Sequence, residues 1–361
     1  MFYHFILPLK EYLGFLRLFQ YITFRSAYAA LTALLLVLIF GNLVIRWLRV
    51  LKFGEEIRAL GPESHRKKAG TPTMGGIIII GAVLISIMLW GNFASVYLVT
   101  LIAATLLLGG LGFADDYIKS ILKRKEGIPA RVKLLVQVLI GLAVALVVYY
   151  LPSSKAEATT LYVPFINAPV ADLGFVWVVF AIVVIVAATN AVNLTDGLDG
   201  LAIGSVMTVG VSLGIMAYLA GHAKIAAYLR IPYVPDAAEL TVFLAALMGA
   251  AIGFLWFNSN PATVFMGDTG SLALGGIIGI VAVMIKKEIF LFIVGGVFVI
   301  EVLSVIIQVA SFKLRGKRVF KMAPFHHHLE LSGWPEQKVV VRMWVLGIIL
   351  AILGMSSLKI L

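Results

Sequence analysis

The sequence predicts an all-α polytopic membrane protein with ten transmembrane helices. Three observations carry that reading. Only 13% of the 361 residues are charged and 61% are hydrophobic, whereas soluble domains carry about a quarter charged residues. Mean hydropathy is +1.03. The apolar residues fall in uncharged runs of about 17–25 residues, the length of a bilayer-crossing helix, rather than in the narrower stripes of a soluble fold.

Taken in order, residues Met1–Phe19 are broken by Pro8, Lys10, Glu11 and Arg17 and lack a basic lead into a clean apolar stretch. They predict a short N-terminal helix lying at the interface, not a cleaved signal. Ten apolar runs follow: Ile22–Ile45, Met74–Trp90, Val96–Ala114, Val132–Leu151, Leu173–Thr189, Leu201–Ala220, Leu240–Phe257, Ser271–Ile285, Ile289–Phe312 and Val339–Leu358. The eighth is short and rich in glycine, so its neighbours are expected to cover it closely. The chain reads as one integral membrane domain, residues 1–361.

The loops fix the orientation. Arg46, Arg49, Lys52, Arg58, Arg66, Lys67 and Lys68 separate runs 1 and 2. Lys119, Lys123, Arg124, Lys125 and Arg131 separate runs 3 and 4, with Lys133 just beyond. Lys313, Arg315, Lys317, Arg318, Lys321 and Lys338 separate runs 9 and 10. The alternate loops hold only Lys155, Lys224, Arg230, Lys286 and Lys287. By the positive-inside rule the first set faces the cytoplasm, and both termini lie outside. The same rule, with anionic headgroups and substrates, accounts for the net charge of +11 without nucleic acid. The absence of cysteine excludes disulfides, thiolate metal sites and thiol nucleophiles.

The unusual polar residues share one parity. Asp115 and Asp116 end run 3; Asn190, Asn193, Asp196 and Asp199 follow run 5; Asn258 and Asp268 follow run 7; His326, His327 and His328 follow run 9. All fall in loops assigned to the cytoplasm. The loops after runs 5 and 7 contain no Lys or Arg, so their parity is independent of the charge count. One composite site at the inner surface is the expectation.

Each motif has a plainer reading. Asp115 and Asp116 repel one another unless a cation lies beside them. Lys119 one turn on supplies an ordinary partner, and a Mg²⁺ or phosphate site supplies a functional one. The stretch from Asn190 to Gly200 packs four carboxamides or carboxylates into eleven residues, more than a helix cap uses. Asp268 in Phe265-Met-Gly-Asp-Thr-Gly is an N-cap or a metal ligand beside a phosphate at a helix N-terminus. Its concurrence with the other acids favours the second. The three histidines invite zinc, but adjacent side chains rarely converge on one ion, so hydrogen bonding to phosphate or nucleoside is the better reading. Lys68 and Thr73 are either a basic flank and helix start or part of an anion-binding rim. Glu301, Ser304 and Gln308 share one helical face, and a buried glutamate in a span is a functional suspect.

These motifs together resemble the phospho-N-acetylmuramoyl-pentapeptide transferases. The likeness runs from Tyr21-Ile-Thr-Phe-Arg25 through TPTMGG, FxDDY (with Ala114 at its variable place), NAVNLTDGLDGLA, GFLWFN and FMGD to APFHHHLE and Val341-Arg342. NAVNLTDGLDG and FMGD are shared across the superfamily of polyprenyl-phosphate sugar-1-phosphate transferases. The histidines with Glu330 and Gly333-Trp-Pro-Glu336 point to the muramoyl-pentapeptide branch.

The resemblance implies ten spans with periplasmic termini in a bacterial inner membrane. It implies a Mg²⁺-dependent reaction of UDP-N-acetylmuramoyl-pentapeptide with undecaprenyl phosphate that yields lipid I and UMP. It further implies that Asp268 binds the metal, and that Asp115 and Asp116 serve the lipid phosphate and catalysis. Asp196, Asn190 and His327 would surround the pyrophosphate. Lys68, Thr73, Asp199, Asn258, Phe265 and Gln308 would contact nucleotide and substrate, with Asn193, His326 and His328 beside them. Lys119 and Lys133 would supply positive charge. A homodimer is a candidate assembly.

Rival functions are a sister transferase that uses UDP-N-acetylglucosamine, a secondary transporter, and a scaffold. The histidine triplet argues against the first. Polar groups gathered at one surface instead of the midplane argue against the second. A scaffold has no use for the row of acids and histidines.

Overall fold

The computed structural model describes residues 3, 14–51, 70–124, 126–151, 158–166 and 168–358. Most of the expected interfacial helix, and Lys68, lie outside the described residues; Gly14–Gln20 forms a single 3₁₀ segment.

The described chain is almost entirely helical. Its helices are α1 (Ile22–Val50), α2 (Gly76–Trp90), α3 (Val96–Ser120), α4 (Ala130–Tyr150), α5 (Val176–Thr195), α6 (Leu201–Ala220), α7 (Ala223–Leu229), α8 (Ala237–Asn258), α9 (Gly267–Met284), α10 (Glu288–Val294), α11 (Gly296–Arg315), α12 (Phe325–Leu331) and α13 (Glu336–Met355). Between α4 and α5, strands β1 (Thr160–Leu161) and β2 (Ala171–Asp172) pair antiparallel. Among the described residues, nine helices are long and apolar enough to cross a membrane. Helix α2, uncharged but only 15 residues long, reaches ~22 Å.

Several helices outrun their apolar stretches. Helix α5 continues past Thr189 to Thr195, so Asn190 and Asn193 lie in its last turns and not in a loop. Asp115 and Asp116 sit inside α3, which ends at Ser120. Asp268 lies in the first turn of α9, ahead of the expected start at Ser271. In each place polar side chains pair with a neighbouring helix, so the helix persists where hydropathy stops. The ninth apolar run is two helices, α10 and α11, which meet at Gly295. The loop after it contains the extra helix α12.

Helix α9 lies at the centre. Every residue from Thr269 to Met284 is buried, against α3, α5, α2 and α6. Gly112 makes the closest crossing possible: a Cβ there would collide with the backbone of Asp268 and Thr269. This contact sets Asp115 and Asp116, one turn further along α3, against the first turn of α9. At the opposite end Arg25 of α1 makes a buried bidentate pair with Glu239 of α8, at 2.7 Å (Nη1) and 2.5 Å (Nη2), and donates to Trp90 O at the end of α2. Three helices are joined there by one guanidinium, whose fork suits this geometry.

Candidate active site

The C-terminal end of α3, the N-terminal parts of α4 and α9 and the last turns of α5 meet in a cluster of charge. Asp115 is fully buried. Its Oδ1 accepts from Ile128 N at 2.6 Å. Its Oδ2 lies 2.6 Å from Lys119 Nζ and 2.7 Å from Lys133 Nζ. The same two ammoniums reach Asp268 Oδ2, at 3.2 and 2.9 Å. Asn193 Nδ2 donates to Asp268 Oδ1 at 2.9 Å and to Ser271 Oγ at 2.8 Å. Lys119 (36% exposed side chain) and Lys133 (21%) therefore stand between buried carboxylates and the open side of the cluster.

Asp116 has a different task. Its carboxylate accepts from Asp268 N (3.1 Å), Thr269 N (2.9 Å) and Thr269 Oγ1 (2.7 Å). These are first-turn groups of α9, which lack intrahelical acceptors, so a carboxylate from another helix caps α9. Gly267, at φ +74°, turns the chain into that helix. A Cβ at Gly267 would press on Asp116 Oδ2 and on Thr73 Oγ1, which lies buried alongside.

Asp115, Asp116 and Asp268 present carboxylate oxygens within 4.8 Å of one another. Three oxygen donors suit a hard divalent cation such as Mg²⁺, and three carboxyl groups outnumber the two lysines that face them. The donor set thus fits such a metal. Asp268 is the most accessible of the three, with 18% side-chain exposure against full burial of Asp115.

A second polar group adjoins the turn after α5. Asp196 is the C-cap of α5. Asp199 Oδ2 accepts from Asn260 Nδ2 and Ala262 N, at 3.1 and 3.0 Å, and its own N–H donates to Glu336. Asn258 accepts from Gly200 N and donates to Val264 O. Phe265 N donates to Pro72 O, while its carbonyl accepts from Gly75 N. Asn190 donates to Gln137 Oε1. Asp199, Asn258 and Phe265 therefore hold loops to one another through bonds in which backbone groups take part.

The histidines diverge. His326 is buried, with Nδ1 3.1 Å from Glu301 Oε2, and Nε2 packs against Gly197 of the turn after α5. His327 pairs with Glu330 at 3.0 Å. His328 accepts from Lys321 N and stacks on Phe325. Among the described residues no potential metal group includes a histidine. Gln308 accepts from Val319 N and Phe320 N and donates to Phe320 O. It fastens the loop before α12. Thr269, Gln137, Asn260, Ser271 and Glu336 were not singled out from the sequence; Thr269 beside Asp268 and Glu336 in the Gly-Trp-Pro-Glu segment were the available signals.

Known proteins resemble this chain along its whole length. The glycosyl transferase family 4 profile matches residues 98–286, which include the acidic cluster. The phospho-N-acetylmuramoyl-pentapeptide-transferase signature 1 matches residues 68–80. A phospho-N-acetylmuramoyl-pentapeptide-transferase of Leptospira biflexa is 52% identical over 356 residues, 96% of each chain. One of Desulforapulum autotrophicum is 49% identical over the full length of both chains. With whole-length identity of this order and motifs that meet at one end of the helix bundle, the chain belongs to the phospho-N-acetylmuramoyl-pentapeptide transferase family.

Proposed function

We propose that this chain transfers phospho-N-acetylmuramoyl-pentapeptide from its UDP donor to undecaprenyl phosphate, giving lipid I and UMP. The observation that carries the reading is the Asp115–Lys119–Lys133–Asp268 cluster seated on the N-terminus of α9. It offers cations and a helix end to a diphosphate, and carboxylates to a metal. In the same reading residues 1–361 form one domain in the bacterial inner membrane. α2 joins the nine longer helices to complete ten spans, with α10 and α11 together forming one of them; the site faces the cytoplasm, both termini face outward, and the protomers pair as a homodimer.

Asp268 would hold Mg²⁺, with Asp115 and Asp116 beside it. When bound, the metal supplies charge neutralisation on the donor diphosphate. Lys119 and Lys133 neutralise the remaining anions and turn from the carboxylates toward substrate phosphate. Asn193 keeps Asp268 oriented. Thr73, Asn190, Asp196, His327, His328 and, from the segment outside the described residues, Lys68 line the donor. Asp199, Asn258, Phe265, His326 and Gln308 act by holding the loops that shape its site.

Reaction proceeds by direct attack of a lipid-phosphate oxygen on the β-phosphorus. The bond from that phosphorus to the bridging oxygen breaks, and UMP leaves with the electron pair. A phosphate monoester has a second pKa of ~6, so the acceptor is a dianion at neutral pH and requires little help from a base. A covalent aspartyl intermediate is disfavoured: two ammoniums hold Asp115, and three hydrogen bonds hold Asp116.

The test is UMP release by purified protein with undecaprenyl phosphate, Mg²⁺ and either of two donors. Release with UDP-N-acetylmuramoyl-pentapeptide and none with UDP-N-acetylglucosamine is expected. The reverse pattern moves the chain to the sister branch. Isolation of a phospho-sugar enzyme adduct formed without lipid contradicts direct attack.

A further inference from the structure

Helices α6, α9 and α13 end at the face of the bundle opposite Asp268, ~25 Å away along α9. There the segment after α7, the hairpin loop, the start of α10 and the end of α13 line a small pocket of about 50 Å³. Its walls include Lys287, Arg230, Tyr162, Ile231, Phe290 and Ser357. Lys287 and Arg230 are its only charged lining groups among the described residues.

The adjacent lysines at this corner are treated differently. Lys286, at φ +58°, turns inward: its Nζ donates to Ala158 O at 2.8 Å and Glu288 Oε1 at 3.1 Å, over the Trp177 ring. Trp177 Nε1 donates to the same Glu288 oxygen at 3.0 Å. Glu288 Oε1 thus accepts from both Lys286 and Trp177, and Glu288 is not among the residues that line the pocket. Lys287 is 91% buried (9% exposed) and lines the pocket, and its ammonium makes no hydrogen bond or ion pair within 4 Å among the described residues. Burial pushes Lys287 down to about 8, with the charge of Glu288 opposing the shift. Arg230, exposed and in a left-handed turn, brings a second cation to the rim.

We propose that this pocket is a binding site for a phosphate-bearing anion at the membrane face remote from the acidic cluster. Two cations, one desolvated, in a pocket whose described lining residues include no acid, suit an anionic phosphate. The apolar floor of Phe290 and Ile231 admits the carbon beside the phosphate. Exposed Phe165, Ile166 and Tyr228 nearby have the composition of a membrane interface, which places the mouth within reach of a lipid headgroup as well as a soluble phosphate. The inference is independent of the proposed reaction, since none of these residues touches the acidic cluster.

Two probes separate the sources. Native mass spectrometry counts phosphatidylglycerol retained against phosphatidylcholine, and thermal unfolding reads inorganic phosphate against chloride at equal ionic strength. Wild type, Lys287→Met, Arg230→Gln and the charge-restoring Lys287→Arg are compared, with UMP release as the check on folding. Affinity for at least one phosphate probe is expected to fall about fivefold per lost cation and to return in Lys287→Arg, while UMP release stays unchanged. Loss confined to phosphatidylglycerol assigns a headgroup; loss also of the inorganic phosphate shift assigns a free phosphate. Should Lys287→Met not fold, exposed Arg230→Gln carries the comparison. Folded variants that hold both probes as tightly as wild type overturn the proposal.

Discussion

At the residue scale the three aspartates of the cluster are not equivalent. Asp116 faces α9 backbone, Asp115 faces lysines, and Asp268 alone combines lysine contacts with exposure. Substituting Asp116 should therefore harm structure and chemistry together. Asp116→Ala strands buried donors, which costs ~1–3 kcal/mol for each group left unsatisfied, so a lowered Tm with lost activity is expected. Lys133→Met should leave folding intact and reduce kcat ~10²–10³-fold, the usual effect of removing one electrostatic stabiliser. Equal Tm losses for both would show that the lysine is structural. The sequence marked these acids and lysines, because charge at the end of an apolar run stands out. It did not mark Thr269, Gln137 or Asn260, since a small polar residue shows its importance only through its partner. Gln308 and Asn258 were legible as unusual but not as loop fasteners, because their bonds join segments distant in sequence or run to backbone groups.

At the element scale the helix positions followed from hydropathy, whereas their ends did not. Helix α5 runs on through Asn190 and Asn193, whose amides find Gln137 and Asp268 on neighbouring helices. A hydropathy pattern ends there because it sees polarity and not partners. The break at Gly295 was hidden for the opposite reason: apolar residues flank it on both sides. The crossing of α3 on α9 depends on the absent side chain of Gly112. Gly112→Ala should force the two backbones apart, destabilise the fold by ~1–3 kcal/mol as overpacking does, and separate Asp115 from Asp268. Gly110→Ala on the same helix, where a Cβ meets nothing, should be silent by comparison. Thermal unfolding of the pair checks this, and equal stability would remove the crossing from the account.

At the scale of the whole molecule, loop charge gave an orientation and the fold gives a converging geometry. The C-termini of α3 and α5 and the N-terminus of α9 meet at the acidic cluster, on the side where the basic loops lie. The chain has no cysteine, so single substitutions report topology cleanly. In intact cells Lys123→Cys should resist a membrane-impermeant maleimide until the cells are opened, while Lys224→Cys should label directly. Both positions are exposed, and the opposite pattern would invert the assigned topology.

In the proposed reaction Asp268, held by Asn193 and two lysines, makes this cluster a metal-dependent phosphoryl-transfer site. The most direct test is UMP release from UDP-N-acetylmuramoyl-pentapeptide and undecaprenyl phosphate, titrated with Mg²⁺ in wild type and Asp268→Asn. Saturable dependence on Mg²⁺ is expected in wild type, abolished by chelation. In Asp268→Asn release should be at least ~10²-fold lower, with wild-type Tm. Undiminished release in the chelated enzyme, or in the variant, would contradict the account.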